Sequence, residues 1–205
     1  IGIRNGKIAL LGENLVSSEE TPEYNAEHLT IFPGMVDAHV HFNEPALGHW
    51  EGFATGSASL AAGGCTTYID MPLNGVPPTV RLSALAMKLE AAEGNSHVDY
   101  ALWGGLVPGN IGELAELAEA GVIGFKAFMS CPGGEGEDIF TEVDDETLFN
   151  GMKEIARLGL VLALHAESEE IVSKLAAEAV QAGKRGALDF IVTRPVEAEL
   201  EAVNR

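Results

Sequence analysis

Cysteine is scarce in this chain, and long uncharged apolar runs are absent. The two cysteines, Cys65 and Cys131, cannot form a disulfide framework, which favours a reducing compartment such as the cytoplasm. The longest uncharged apolar run, residues 158–164, is far shorter than the roughly 20 residues that a membrane-spanning helix needs. No leader with a basic start, an apolar stretch and small residues opens the sequence, so we expect no secretion signal.

Positively charged residues are also few. Lysine and arginine number 12 against 31 aspartates and glutamates, which gives a formal net charge of -19 at pH 7. A surface of this sign repels nucleic acid and anionic lipid, so neither is an expected partner. The 205 residues, of which 46% are hydrophobic, suffice for one sizeable domain with a buried core. The composition is therefore typical of a soluble globular protein.

Residues 33–41, Pro-Gly-Met-Val-Asp-Ala-His-Val-His, organise the rest of the chain. Apolar and polar residues alternate here, which is typical of a strand, and alternation places His39 and His41 on one face with Asp37. Two adjacent imidazoles repel each other when protonated but can chelate a divalent metal ion. A His-x-His pair also occurs by chance, and strand histidines are often ordinary core residues, so the pair alone leaves both interpretations open.

Residues 1–32 differ from the remainder of the chain. Two short strands around Asn5-Gly6 read as a hairpin, which we interpret as part of a small β-sandwich-like domain. From residue 33 onward, strands alternate with amphipathic helices, and this pattern predicts a parallel sheet with helices outside it. The predicted strands are 35–41, 65–71, 98–103, 122–128 and 160–166. The predicted helices are 51–62, 79–93, 111–120, 144–158, 168–182 and 196–204.

The turn after the first predicted strand decides between two α/β architectures. A Rossmann-type fold would carry Gly-x-Gly-x-x-Gly there, whereas residues 41–48 contain no such cradle. Polar residues gather at the C-terminal ends of several strands, which favours a TIM-type (β/α)₈ barrel. Only about five strand–helix units are present, so residues 33–205 are predicted to be the N-terminal part of a barrel, with two open apolar edges. The glycine-rich residues 133–137 are predicted to form a mobile loop over the site.

The fourth predicted strand contains a lysine between apolar neighbours. Alternation places Val122, Gly124, Lys126 and Phe128 on one face, and Ile123, Phe125 and Ala127 towards the helices. Burial lowers the pKa of a lysine, and a neutral amine can react with CO₂ to form a carbamate that bridges two metal ions. The alternative is a lysine whose amine reaches solvent at a sheet edge, which the apolar flanks disfavour.

His165 closes the fifth predicted strand, just as His41 and Lys126 lie near the ends of theirs. Three separate strands therefore deliver ligand-type groups to one rim of the sheet. Glu167 could orient His165 or begin the next helix, and the sequence favours the second interpretation. The remaining histidines fall near turns and are predicted to lie on the surface: His28, His49 and His97.

These residues resemble the amidohydrolase superfamily, and within it the cyclic amidases. The motifs at 39–45, 50–53, 63–74 and 124–130 are similar to those of the allantoinase branch, and the resemblance extends over residues 1–205. It implies two divalent metal ions at the mouth of a TIM barrel, zinc in the first place, or else cobalt, manganese or iron. His39 and His41 would hold one ion, an N6-carboxylated Lys126 would bridge, and His165 would bind the second.

Departures from relatives suggest the substrate. Asn43 stands where dihydroorotases carry an arginine that grips a carboxylate, and Cys131 stands where hydantoin- and dihydropyrimidine-cleaving relatives carry a tyrosine. Asn74 matches a substrate-contacting position, although Asn74-Gly75 is also a turn signal. The resemblance therefore implies allantoin, which has no carboxylate, with Asn43, Asn74 and Cys131 as substrate-binding residues.

The implied activity is hydrolysis of allantoin to allantoate in purine degradation by a metal-bridging hydroxide, in a homo-oligomer, a tetramer by resemblance. The general-base aspartate is expected beyond Arg205, so this chain alone is expected to be inactive. Two alternatives remain, a hydantoinase or dihydropyrimidinase, and a metal-free scaffold protein of the same fold. Scaffold relatives usually lose metal ligands, whereas all four ligand-type residues are present here.

Overall fold

The computed structural model describes residues 1–18, 21–134 and 138–205. The chain divides into two compact units, Ile1–Pro33 and Gly34–Arg205. Most of the predicted glycine-rich loop, residues 135–137, lies outside the described residues. No helix in the described ranges combines the length and the apolar character needed to cross a membrane.

The first unit contains the predicted hairpin. Strand β1 (Gly2–Arg4) pairs antiparallel with β2 (Lys7–Leu10). Asn5 and Gly6 connect them with φ angles of 52° and 70°. Positive φ at both central residues is the requirement of a type I′ turn, which explains why Asn-Gly stands here and confirms the hairpin.

The second unit is built on parallel strands, and the predicted α/β class is confirmed. The strands are β3 (Met35–Val40), β4 (Cys65–Asp70), β5 (Asp99–Leu102), β6 (Gly104–Gly105), β7 (Gly124–Phe128) and β8 (Val161–His165). They form two three-stranded sheets in the orders β3-β4-β5 and β6-β7-β8, with every pairing parallel.

Only Trp103 separates β5 from β6. Its backbone N–H donates to the carbonyl of Asp70 at 3.0 Å, while the next two residues pair with β7. Residues 99–105 therefore act as one strand that pairs with β4 by its first half and with β7 by its second. The strands consequently lie side by side in chain order, without the reversal of a Rossmann sheet.

Helices follow the strands, as the alternating pattern predicted. They are α1 (Phe53–Ala62), α2 (Leu82–Ala92), α3 (Leu114–Glu119), α4 (Asp145–Arg157), α5 (Glu169–Gln181), α6 (Ala187–Ile191) and α7 (Val196–Asn204). All six predicted helices are present, with ends that differ by three residues at most, and α3 is preceded by a 3₁₀ turn at Ile111–Glu113. The short helix α6 was not predicted.

The strands carry an apolar layer on each side. Phe125 and Ala127 pack with Leu117 of α3 and Ile155 of α4, which confirms that these two strand residues face the helices. Val122 belongs to the same layer, so its predicted position on the Lys126 face is wrong. The reason is that β7 begins only at Gly124, and alternation does not extend back to residues 122 and 123. A second layer on the opposite side contains Met71, Leu73, Val80, Trp103, Val107, Phe128 and Phe140.

The two outermost strands each have an open edge within the described residues. β3 pairs only with β4, and β8 only with β7. Apolar side chains on these strands are correspondingly accessible, with Met35, Val36 and Val161 at 56%, 61% and 63% exposure. The predicted open apolar edges are therefore present in the described part of the chain.

Candidate metal centre

The two histidines of β3 and the turn that follows it lie side by side. Their ring centroids are 5.3 Å apart and the rings are tilted by 44°. Asp37 supports the backbone between them, because its Oδ1 accepts the N–H of His39 at 3.1 Å. The alternation inferred from the sequence thus brings His39 and His41 onto one face.

The surroundings of His41 leave one of its ring nitrogens without a partner among the described residues. Its Nδ1 is buried and has no hydrogen-bond partner among the described residues. Buried polar atoms are nearly always paired, so an orphaned ring nitrogen suits a missing ligand such as a metal ion. Burial, and next the neighbouring His39, lower the pKa of His41, while Asp70 and the side chain of Asn74 act in the opposite direction. The neutral imidazole that results is the form that binds metal.

Lys126 is buried on the face of β7 that points away from the helices. Only 4% of the residue is exposed, and burial lowers the pKa of its amine. No ion pair or hydrogen bond of its Nζ is found within the described ranges, and the centroid of the Phe128 ring lies 4.9 Å from it. A buried lysine without a carboxylate partner is rare, and it is the kind of amine that loses its proton most readily.

His165 meets the same aromatic ring. It is the register partner of Phe128 across β7 and β8, and its ring stacks on that of Phe128 with centroids 4.7 Å apart and an interplanar angle of 13°. Lys126 and His165 are therefore gathered around Phe128, at the carboxyl ends of neighbouring strands.

Glu167 contacts His165 rather than beginning a helix. Its Oε2 lies 3.5 Å from His165 Nε2 and 3.6 Å from Arg194 Nε, and it accepts a hydrogen bond from Ser130 Oγ at 3.3 Å. Helix α5 starts at Glu169, so the sequence-based preference for Glu167 as a helix start is wrong. The short loop before the helix leaves its side chain free to turn back towards the strand end.

These groups do not form one complete ligand set. Among the described residues, no cluster of three or more His, Cys, Asp or Glu side chains is arranged to hold a metal ion. The structure places His39 beside His41, and it places Lys126 and His165 each beside the ring of Phe128. Trp103 links the two pairs, because it packs with Phe128 and donates its Nε1–H to the carbonyl of Ala38 at 3.1 Å.

The predicted substrate-binding residues lie in loops after the strands. Asn43 is buried at 7% exposure with φ 62°, and Asn74 has φ 66°. Asparagine is among the few residues that tolerate this left-handed conformation, so both positions have a backbone reason for their identity. Cys131 is exposed, and its N–H donates to Glu169 Oε2 at 2.8 Å. His28, His49 and His97 are exposed, as predicted.

The sequence did not predict a buried ion pair that involves β4, the strand next to the histidine strand β3. Lys88 Nζ donates to Asp70 Oδ2 at 2.5 Å, and neither side chain is exposed. Lys88 lies on the buried stripe of α2, with Ala84, Leu85 and Ala92. A lysine at a position where helical periodicity requires an apolar residue was the available signal.

Residues 30–190, most of the chain, match the Amidohydrolase family, and the chain belongs to that family. The expected family is therefore confirmed. The chain is similar to allantoinases, with 53% identity to that of Solibacter usitatus, 51% to that of Bacillus velezensis and 42% to that of Escherichia coli. Each alignment covers 100% of this chain but only 44%, 44% and 45% of the relative, so the chain spans less than half of their length.

Solved structures of related enzymes share the fold. The L-hydantoinase (dihydropyrimidinase) from Arthrobacter aurescens is 38% identical with a TM-score of 0.76, over 84% of this chain and 38% of that chain. A D-hydantoinase is 27% identical with a TM-score of 0.81, over 98% of this chain and 43% of that chain.

Proposed function

We propose that the full-length protein hydrolyses a cyclic amide, and specifically converts allantoin to allantoate in purine degradation. The observation that carries this proposal is identity of up to 53% to allantoinases over the whole chain. The ligand-type residues of the site support it, because an orphaned imidazole nitrogen and a buried, unpaired lysine fit a metal-dependent hydrolase better than a scaffold protein.

The proposed centre contains two divalent metal ions, with zinc as the first choice of metal. His39 and His41 would hold one ion, His165 the other, and a carboxylated Lys126 would lie between them. When bound, two such ions activate water near neutral pH and polarise a carbonyl oxygen. Cobalt, manganese or iron are the alternatives, since imidazole and carboxylate-type oxygens also suit these metals.

Lys126 has the chemistry that this arrangement requires. Burial disfavours its charged form, which leaves the nitrogen lone pair free to attack CO₂. A nitrogen–carbon bond forms, one proton is released, and the product is a carbamate with two oxygen donors. The ring of Phe128 lies 4.9 Å from the amine, measured to the ring centroid.

The architecture proposed for the full-length protein is a TIM-type barrel. Parallel strands lying side by side in chain order support it, as do the open edges of β3 and β8. Residues 1–32 would belong to a small β-sandwich-like domain, and residues 33–205 to the N-terminal part of the barrel. The general-base aspartate would come from the remaining strands, and the protein would act as a cytoplasmic homo-oligomer, a tetramer.

Asn43, Asn74 and Cys131 are proposed to line the substrate site. Asn74 carries both donor and acceptor groups near His41, which suits the ureido N–H and C=O groups of allantoin. A hydantoinase remains the second candidate, since the L-hydantoinase from Arthrobacter aurescens is 38% identical over 84% of this chain.

The test is a comparison of substrates on the full-length protein. We expect allantoin to be hydrolysed faster than hydantoin or dihydrouracil, with activity lost on chelation and restored by zinc. His41→Asn should abolish turnover, whereas His49→Asn, at an exposed histidine, should leave it unchanged. Faster turnover of hydantoin would select the second candidate, and absence of both metal and turnover would favour the scaffold protein.

A further inference from the structure

The ion pair between Lys88 and Asp70 also binds two backbone groups, the carbonyl of Met71 and the N–H of Phe42. Lys88 Nζ donates to Asp70 Oδ2 at 2.5 Å and to the carbonyl of Met71 at 2.7 Å. The second carboxylate oxygen, Asp70 Oδ1, accepts the N–H of Phe42 at 2.8 Å. Every one of these contacts is buried, so each group depends on the others for its hydrogen bonds.

These contacts hold the chain on both sides of His41. Phe42 follows His41 directly and is tied to Asp70 through its N–H. Val40 precedes His41, and its carbonyl accepts the N–H of Met71 at 2.9 Å, the residue whose own carbonyl binds Lys88. His41 is therefore placed between two anchored neighbours while its own Nδ1 has no partner among the described residues.

Folding stability alone is a weak explanation for this pair. Replacing a buried ion pair by apolar residues of similar volume is often neutral or stabilising, because desolvation of two charges offsets their attraction. Asp70 is the register partner of Val40 and lies on the same strand as Tyr68, and both of these residues belong to a buried apolar layer. What an apolar replacement cannot supply is an acceptor for the N–H of Phe42.

We propose that Asp70 and Lys88 are positioning residues, which fix the backbone on either side of His41 so that its imidazole is held ready for metal. This inference rests on the metal centre proposed above. Asp70 acts through the Phe42 N–H, and Lys88 holds the Asp70 carboxylate and the Met71 carbonyl in place.

Two double variants of the full-length protein separate positioning from stability. Asp70→Leu with Lys88→Met removes both charges and the acceptor for Phe42. Asp70→Asn with Lys88→Met also removes both charges but keeps a carbonyl oxygen that can accept the Phe42 N–H. Arg81→Met with Asp138→Asn is the control, since it removes a partly exposed ion pair at the start of the same helix.

The readouts are thermal unfolding, Co²⁺ affinity from competition with a chromophoric chelator, and the absorption spectrum of the Co²⁺-loaded protein. We expect all three variants to fold. The leucine variant should bind one of its two Co²⁺ ions about 10–100-fold less tightly and show an altered spectrum, whereas the asparagine variant and the control should resemble the wild type.

Equal Co²⁺ affinity and equal spectra in the leucine and asparagine variants would overturn the inference while leaving the proposed function intact. A wild-type protein that binds no metal would instead remove the proposed function, and the inference with it. Should the leucine variant not fold, Asp70→Ser with Lys88→Met replaces it, because the shorter hydroxyl leaves the Phe42 N–H without its acceptor.

Discussion

Lys88 and Lys126 are both buried, but they lie on opposite sides of the strand layer. Lys88 comes from helix α2 and meets a buried carboxylate and a carbonyl oxygen. Lys126 comes from strand β7, points away from the helices, and has the centroid of the Phe128 ring 4.9 Å from its amine. Lys88 has two hydrogen-bond partners, one of them a carboxylate, whereas Lys126 has no counter-charge among the described residues.

The comparison shows that burial alone does not determine the role of a lysine, because the groups around its amine matter as well. A paired buried lysine acts as a fixed structural link, because removing either partner would leave a charge in a dry interior. An unpaired buried lysine is more reactive as an amine, since burial works against the ammonium form. On the helix side of the strands, Lys88 is the lysine proposed to position the backbone. On the opposite side, Lys126 is the lysine proposed to react.

The largest effect on folding is expected from breaking the paired lysine. Lys88→Met leaves the Asp70 carboxylate buried without a cation, which should lower the free energy of unfolding by about 3–5 kcal/mol. Urea denaturation at neutral pH measures it, with the exposed Lys153→Met as the control. An unchanged midpoint for Lys88→Met would contradict the contrast between the two lysines.

A smaller effect is expected from the ring that Lys126 and His165 share. Phe128→Leu removes the stacking partner of His165 and leaves a small cavity, which should cost about 1–2 kcal/mol of folding free energy. Metal affinity should fall as well, because the imidazole loses its support. Phe149→Leu, at a residue that is 59% exposed, is the matched control in both denaturation and metal titration.

Lys126→Met should barely change stability, although it is the same substitution as Lys88→Met. A near-isosteric apolar side chain at an unpaired site should shift the free energy of unfolding by less than about 1.5 kcal/mol. Metal content and allantoin hydrolysis should nevertheless be lost, as elemental analysis and the substrate assay would report. A stability loss as large as that of Lys88→Met would show that Lys126 has a partner after all.

The stability difference between Lys126→Met and the wild type is expected to depend on pH in the metal-free protein. Because burial lowers the pKa of Lys126 below 10.5, the unfolded chain binds more protons than the folded one between the two values, and wild-type stability rises with pH in that window. Any stability advantage of Lys126→Met at neutral pH should therefore shrink as the pH is raised towards 10.5. A constant difference from pH 7 upward would argue against a perturbed lysine.

The smallest folding effect is expected at Glu167. Its contacts with Arg194 and His165 are partly exposed, so Glu167→Gln should change stability by less than about 1 kcal/mol. Affinity for metal should still drop by about tenfold or more if the carboxylate orients the imidazole. Glu169→Gln, two residues further on, provides the comparison, and equal metal binding by both variants would remove Glu167 from the site.

Much of the fold could be predicted because local patterns carry it. Short apolar runs that alternate with amphipathic stretches predicted the strands and helices, and the turn chemistry of Asn5-Gly6 predicted the hairpin. The five-residue helix α6 was missed, since it is too short to show a helical period. Val122 was misplaced because alternation holds only inside a strand, and its strand begins two residues later.

The site was harder to predict, because most of its contacts join residues that are far apart in the sequence. The strand pattern brought His39 and His41 together, because neighbours on one face need no tertiary information. The contact between Asp70 and Lys88 spans 18 residues and two elements, and only the helical stripe of α2 hinted at it. Phe128 as the common neighbour of Lys126 and His165 depends on the register of β7 against β8, which no single stretch of sequence specifies.

Trp103, which closes the gap between β5 and β6, gives the molecule an intrinsic optical reporter. The indole is buried at 8% exposure, donates to the backbone of β3 beside the histidines, and packs with Phe128 on the other side. The second tryptophan, Trp50, is 63% exposed and will emit at longer wavelength. The short-wavelength side of the emission spectrum therefore reports on Trp103 and on the surroundings of the histidine pair, without any added dye. Binding of a quenching ion such as Co²⁺ can be measured as a loss of this emission.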